Sequence, residues 1–409
     1  MSANEDGKRG IAMANLANML GLISKLESPN ITVHQERCTI VRNRNAECLR
    51  CAEVCTTGCI EYDGEELSVN PERCIGCGTC ATVCPTCALE AHNPSDAALA
   101  SACLRACELM EGVVPIGCGQ LLDRAAGRYD ADKVVRVECL GRVDESILTF
   151  CAARGAREVQ LIHGDCEHCA YRTGRACAEA VCATERVLME AWDTPLELKI
   201  TTKLPAAARA EGAPDHDADR RAFFSRSGQQ AGKLGALVAE QAVADALGVE
   251  DAEEELSPRY TKVMDDGTLP HFVPDRRERL LDFLAELGEP EDVMVDTRLW
   301  GHVIIDTDRC TSCQMCATFC PTGALTKFED ADGASGVDHR PADCVKCRSC
   351  EVICPADAIE ISEEVFARDL LAGVTDRYVM KGRPVKPGTP HTIWQMQQTM
   401  MNTDQVYER

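Results

Sequence analysis

The chain has 409 residues, enough for two to four domains, and carries a formal charge of −23 together with 27 cysteines. That acidity excludes nucleic acid as a partner, because phosphates would repel it; it leaves open plain solubility and electrostatic steering toward a basic protein face. A disulfide scaffold suits short secreted chains, whereas here the apolar stretch 11–23 is interrupted by Asn15 and Asn18 and does not read as a secretory signal.

No run reaches the ~18 apolar residues that a membrane span needs. Arg220-Arg221-Ala222-Phe223-Phe224 has the look of a twin-arginine signal but sits mid-chain. The expectation is a cytoplasmic protein whose thiols stay reduced and serve as metal ligands. Residues 1–31 form an extension with a helix candidate at 11–26.

Residues 32–92 hold the first cysteine-rich module. Cys74-x2-Cys77-x2-Cys80-x3-Cys84-Pro85 is the run that binds [4Fe–4S] clusters in bacterial-type ferredoxins. Upstream, Cys48-x2-Cys51-x3-Cys55 supplies three of four positions, and Thr56 replaces the proline. Two candidates remain for the missing ligand. Arg37-Cys38 resembles Arg73-Cys74 and is favoured, which makes residues 39–47, with four Arg or Asn among nine, a looped-out insertion. Cys59 is the competitor. Because the fourth cysteine of each run ligates the other cluster, the expected sets are crossed: Cys38, Cys48, Cys51 and Cys84; Cys74, Cys77, Cys80 and Cys55. This module resembles bacterial dicluster ferredoxins.

Residues 93–203 alternate short apolar runs with helical periodicity. Strands are expected at 113–116, 134–137, 159–162 and 196–200, and helices at 144–154, ended by Gly155, and 173–192. Such alternation implies a parallel sheet with helices on its faces. Cys118, Cys139, and the pair Cys166 and Cys169 each follow one strand. Ligands of open parallel sheets bind beyond the carboxyl ends of the strands, so these four cysteines converge on one edge. Four thiolates suit one [2Fe–2S] cluster or a zinc ion. His163 and His168 raise mixed Rieske-type ligation, but that needs two histidines on one iron, and the spacing does not repeat.

The motifs Val137-Glu138-Cys139-Leu140-Gly141-Arg142-Val143-Asp144 and Gly164-Asp165-Cys166-Glu167-His168-Cys169-Ala170-Tyr171 resemble the delta subunit of methyl-viologen-reducing hydrogenase over residues 110–195. The resemblance implies a [2Fe–2S] cluster and passage of electrons between a hydrogenase and the flavoprotein of heterodisulfide reductase. The chain departs from that family at Leu121, where the first Cys-x2-Cys pair would end, and in the spacing of the last pair.

Cys151, Cys177 and Cys182 fall on apolar helix faces and read as core thiols. Cys59, Cys87, Cys103 and Cys107 leave a further cluster open beside the same core reading. Residues 204–299 begin as an Ala-, Pro- and Asp-rich linker and continue as a helical connector, with helices expected at 233–247 and 275–287 and an acidic turn at 251–255.

Residues 300–365 repeat the ferredoxin pattern without irregularity. A strand is expected at 303–306. The crossed sets are Cys310, Cys313, Cys316 and Cys354; Cys344, Cys347, Cys350 and Cys320. Pro321 and Pro355 are expected at the first position of short helices opened by the fourth cysteines. Phe319, Val345 and Ile353 are expected to shield the centres from water. Zinc does not explain a doubled run of this kind. The tail, 366–409, either packs back on this module or docks on a partner.

The whole reads as a multidomain α+β and α/β protein, with two dicluster ferredoxin-like modules flanking a small parallel-sheet α/β domain, plus a helical connector. It would carry four [4Fe–4S] clusters and one [2Fe–2S] cluster. It would relay electrons within a hetro-oligomeric hydrogenase, formate dehydrogenase or heterodisulfide-reductase-like complex, with a hydrogenase, molybdoenzyme or flavoprotein as partner. The alternatives are a disulfide-reducing iron–sulfur enzyme, disfavoured because no two cysteines are adjacent, and a redox sensor, for which no DNA-reading motif or basic patch is present.

Overall fold

The computed structural model describes residues 28–210 and 268–381. The expected helices at 11–26 and 233–247, the acidic run 251–255 and residues 382–409 lie outside them.

The first module is built from short elements: β1 (Ile31–Val33), α1 (Thr39–Arg42), α2 (Arg50–Val54), β2 (Ile60–Tyr62), β3 (Leu67–Val69), α3 (Thr79–Val83) and β4 (Leu89–Ala91). β1 pairs antiparallel with β4, Ile31 opposite Ala91, and β2 forms a hairpin with β3. Alternation turns Ile31, Leu67 and Leu89 inward among the cysteines. The insertion at 39–47 is more than a loop: it carries α1 and buries Thr39, Ile40, Asn43 and Ala46.

The expected helices at Pro321 and Pro355 do not form. In all four runs a short helix carries the third cysteine and ends at the fourth, with Cys55, Cys84, Cys320 and Cys354 at its C-cap. The proline then opens a tight turn, closed at 3.2 Å by the Asp357 N–H donating to the Cys354 carbonyl. Proline is suited to that place because it stops the helix and presets φ for a turn.

The middle domain follows the periodicity of its sequence. Its elements are α4 (Asp96–Leu109), β5 (Val113–Cys118), α5 (Gly119–Arg124), β6 (Val135–Val137), α6 (Glu145–Ala153), β7 (Glu158–Ile162), α7 (Gly174–Ala191) and β8 (Glu197–Thr201). The four strands are parallel in the order β6-β5-β7-β8. The order reverses beside β5, which makes a crevice at the carboxyl edge. Asp144 caps α6 by accepting from the Ile147 N–H at 3.3 Å, and Gly155, at φ +84°, ends it in left-handed backbone.

The described part of the connector is α8 (Asp275–Leu287) and β9 (Met294–Asp296). Leu280 and Leu284 pack with Leu188 of α7, with Trp192 just past its end and with the buried Trp300, whose indole N–H donates to the Ala342 carbonyl at 3.1 Å. The second module comprises β10 (His302–Ile305), α9 (Met315–Phe319), β11 (Leu325–Glu329), β12 (Ser335–His339), α10 (Ser349–Ile353) and β13 (Ile359–Ser362). The β10–β13 pair repeats β1–β4. β14 (Glu364–Phe366), α11 (Ala367–Ala372) and β15 (Asp376–Val379) follow. β14 pairs with β9 and β15 with β12, so the start of the tail packs back on this module.

Arginines of the connector clamp the first module to the middle domain. Arg298 makes a two-pronged pair with the buried Glu145, at 2.6 and 2.7 Å, and also donates to the Thr82 carbonyl. Arg276 reaches both Asp144 and the Ala81 carbonyl. Arg298→Ala would leave Glu145 buried without its charge partner, so a loss of about 3–5 kcal/mol is expected, read as a lowered midpoint in chemical denaturation.

Candidate iron–sulfur centres

The three regular Cys-x2-Cys-x2-Cys arches share one backbone. The second residue after the first cysteine is left-handed in each (Gly76, Ser312, Lys346), and so is the residue after the second cysteine (Gly78, Gln314, Arg348). Four of these six are not glycine, and each carries the ~1–2 kcal/mol that left-handed backbone costs an L-residue. The bends turn consecutive thiols toward one centre, and the Ser312 N–H points at Cys310 Sγ at 3.4 Å. The fourth cysteines repeat a second pattern. Gly58, Cys87, Gly323 and Asp357, each three residues later, are left-handed. The next N–H then donates to sulfur: Cys59 to Cys55 at 3.4 Å, Ala88 to Cys84 and Ala358 to Cys354 at 3.3 Å. Such bonds stabilise thiolate and tune whatever it ligates.

The thiols gather in groups. Burial pushes Cys38 up to about 11, with Cys84 and Cys48 adding to the rise. Burial likewise raises Cys51, beside Cys84, Cys38 and Cys48. Cys59 is elsewhere: its Sγ lies 3.4 Å from Cys55 Sγ, and it lines a cavity with Cys55, Cys74, Cys77 and Cys80. In the second module, buried Cys316 stands with Cys313, Cys310 and Cys354. Buried Cys350 stands with Cys347, Cys344 and Cys320. Val345 lines the cavity of that last group, while Phe319 and Ile353 pack together in the core between the two arches. A donor set of buried thiols, raised by desolvation and by one another, is one that a metal relieves by displacing protons.

At the carboxyl edge of the middle sheet, Cys118, Cys139, Cys166 and Cys169 line one cavity. The Gly164 N–H donates to Cys118 Sγ at 3.3 Å and the Tyr171 N–H to Cys169 Sγ at 3.5 Å. Burial, then Cys77, Cys118 and Cys166, push the Cys139 thiol up to about 12. His163 Nδ1 is 3.7 Å from Cys166 Sγ, whereas His168 is exposed and bonded to Asp165. Gly174 opens α7 against Cys139, and a Cβ there would run into Cys139 Sγ.

Sequence reasoning missed what joins these groups. Tyr171 donates to the Ile75 carbonyl at 3.4 Å, Thr56 to Ala170 at 2.6 Å and Thr173 to Val54 at 2.8 Å, which seats the middle edge on the Cys74–Cys80 arch. Cys51 is among the thiols that raise Cys80. Arg42 of the insertion donates to the Cys320 carbonyl at 3.5 Å, and Arg50, at the start of α2, donates to the Lys346 carbonyl at 3.4 Å. Cys48 is among the thiols that raise Cys347, and Cys316 among those that raise Cys350. Each thiol group therefore adjoins the next, and the middle edge adjoins the Cys74–Cys80 arch. The only hint in sequence was the Arg-rich insertion.

Of the other cysteines, Cys103, Cys107 and Cys151 lie together in the middle core with Cys177 and Cys182. Cys59 sits in the first module, and Cys87 lines a cavity with Arg276 and Arg277. The residues raised as a further cluster are thus not brought together.

A family model described as a 4Fe-4S dicluster domain matches residues 309–358, and one described as a 4Fe-4S binding domain matches residues 67–90. Similar relatives include Electron transport protein HydN of Escherichia coli, 47% identical over 47 residues, which are 12% of this chain and 27% of HydN. Ferredoxin of Rickettsia felis is 39% identical over 56 residues, 12% of this chain and 50% of that ferredoxin. Ferredoxin-1 of Caulobacter vibrioides is 42% identical over 48 residues, 12% of this chain and 42% of that protein. The chain spans about half or less of the length of these relatives. No solved structure matches it. Residues 67–90 and 309–358 are therefore ferredoxin-type [4Fe–4S] segments. No helix among the described residues is long and apolar enough to cross a membrane.

With Cys139 raised to about 12, its thiol is protonated near neutral pH, and a metal entering must release that proton. Loading of the middle site is expected to weaken as pH falls from 8 to 6, with proton release measurable by calorimetry in buffers of different ionisation enthalpy. Gly174→Ala should raise alkylation of Cys139 relative to the other buried thiols, mapped by mass spectrometry.

Proposed function

We propose that the chain is the electron-relay subunit of an oxidoreductase complex, with four [4Fe–4S] sites and a [2Fe–2S] site in its middle domain. The observation that carries this reading is that each thiol group adjoins another through direct hydrogen bonds or neighbouring sulfur. Its ligand sets are Cys310, Cys313, Cys316 and Cys354; then Cys344, Cys347, Cys350 and Cys320; then Cys38, Cys48, Cys51 and Cys84; then Cys74, Cys77, Cys80 and Cys55; and last Cys118, Cys139, Cys166 and Cys169. Iron–sulfur clusters, when bound, take up and release single electrons over a wide range of potential.

The chain's own residues hold the thiols, keep water out and set the spacing. Cys38 rather than Cys59 completes the third set, in keeping with where the two sulfurs sit. The middle domain then works as the hydrogenase-delta-like terminus, where a flavoprotein, hydrogenase or molybdoenzyme partner exchanges electrons. The net charge of −23 favours a basic docking face on that partner.

Protein purified without oxygen should contain ~18 iron atoms by cluster stoichiometry, and the double substitution Cys166→Ala/Cys169→Ala should remove about two of them. Affinity capture should bring down a redox catalytic subunit. Turnover of a disulfide substrate by the isolated chain, or zinc in place of iron at the middle site, would overturn this assignment.

A further inference from the structure

Away from the thiols, three other metal-binding side chains of the second module converge. His302 opens β10, His339 closes β12 and Asp376 opens β15. His302 Nε2 lies 3.0 Å from Asp376 Oδ2, and His339 Nδ1 lies 3.7 Å from the same oxygen. One donor atom from each falls within 4.8 Å of the other two. The two imidazoles stack nearly parallel, 7° apart, with centroids at 5.6 Å.

His339 is fully buried, and neither ring nitrogen has a hydrogen-bond partner. Buried polar atoms are ordinarily paired, and both of these nitrogens lack a hydrogen-bond partner.

We propose that His302, His339 and Asp376 bind a divalent zinc-class cation that staples the two sheets of the second module together. His302 belongs to the β10–β13 pair, while His339 and Asp376 face each other in the β11–β12–β15 sheet. A tetrahedral ion with bonds of about 2.0–2.1 Å sets its donors roughly 3.3 Å apart; the two distances to Asp376, 3.0 and 3.7 Å, straddle that spacing, and all three donors lie within 4.8 Å of one another. His302 and Asp376 are each 35% exposed, which gives the ion a path in and leaves a fourth position for water. None of the three belongs to a predicted cluster ligand set.

The test uses the full chain with its iron centres, dialysed against Zn2+ alone and gel-filtered, with zinc and iron both quantified. The expected result is one zinc per chain, lost in His302→Gln and in Asp376→Asn with iron content unchanged. These two partly exposed positions are chosen because truncating buried His339 endangers the fold. Zn2+ should also raise the Tm of the parent chain and not of either variant. Zinc retained equally by both variants, no zinc retained by the parent, or zinc lost only together with iron would overturn the site.

Discussion

A loop that carries three thiols inward within seven residues must bend twice, and it bends by placing residues in left-handed backbone. Ser312, Gln314, Lys346 and Arg348 take that conformation against their steric preference. Local sequence offers them little in return, so the strain persists only where the surroundings over-determine it. Those surroundings are the inward faces of the strand pairs, the short helices after each arch and the buried sulfur itself. The fourth cysteines obey the same constraint: a left-handed residue three positions on aims the next N–H at sulfur. Much of the rest of the molecule can be read as support for these bends.

A second constraint arises where the modules meet. Arg142 is buried at the seam, donating to the Pro94 carbonyl at 3.1 Å and pairing with Asp96 and Asp144. Burial alone would raise Asp144, yet Arg276 and Arg142 hold it below the usual carboxylate range. Buried ion pairs are costly to desolvate, so this cluster fits the role of fixing register rather than adding stability. Glycine does the complementary work: a Cβ on Gly141 would strike Thr79 of the first module. Gly141-Arg142 thus belongs as much to the docking of two domains as to the site that Cys139 enters.

Much was legible beforehand, for reasons that can be stated. The strands and helices of the middle domain follow apolar periodicity, which reports burial directly. The cysteine runs were legible because ligands of one metal centre must be close, and closeness along the chain is written as spacing. The turns after Cys320 and Cys354 were misjudged as helices because proline suits both a helix start and a turn, and only the left-handed residue two positions further on decides between them. The choice between Cys38 and Cys59 stayed open because each lies near a run; their sulfurs separate only when β1 pairs with β4 and the insertion folds as α1.

From sequence alone came the chemistry of the two cysteine-rich segments and the parallel order of elements between them, since both rest on local spacing and period. What tertiary structure decided is how the parts adjoin. Arg42 and Arg50 meet carbonyls almost 300 residues away, and Tyr171, Thr56 and Thr173 close the opposite junction. His302, His339 and Asp376 come from three strands whose pairing no local pattern announces. Contacts between distant segments depend on which faces are left to bury once each module has folded, and that information exists only in three dimensions.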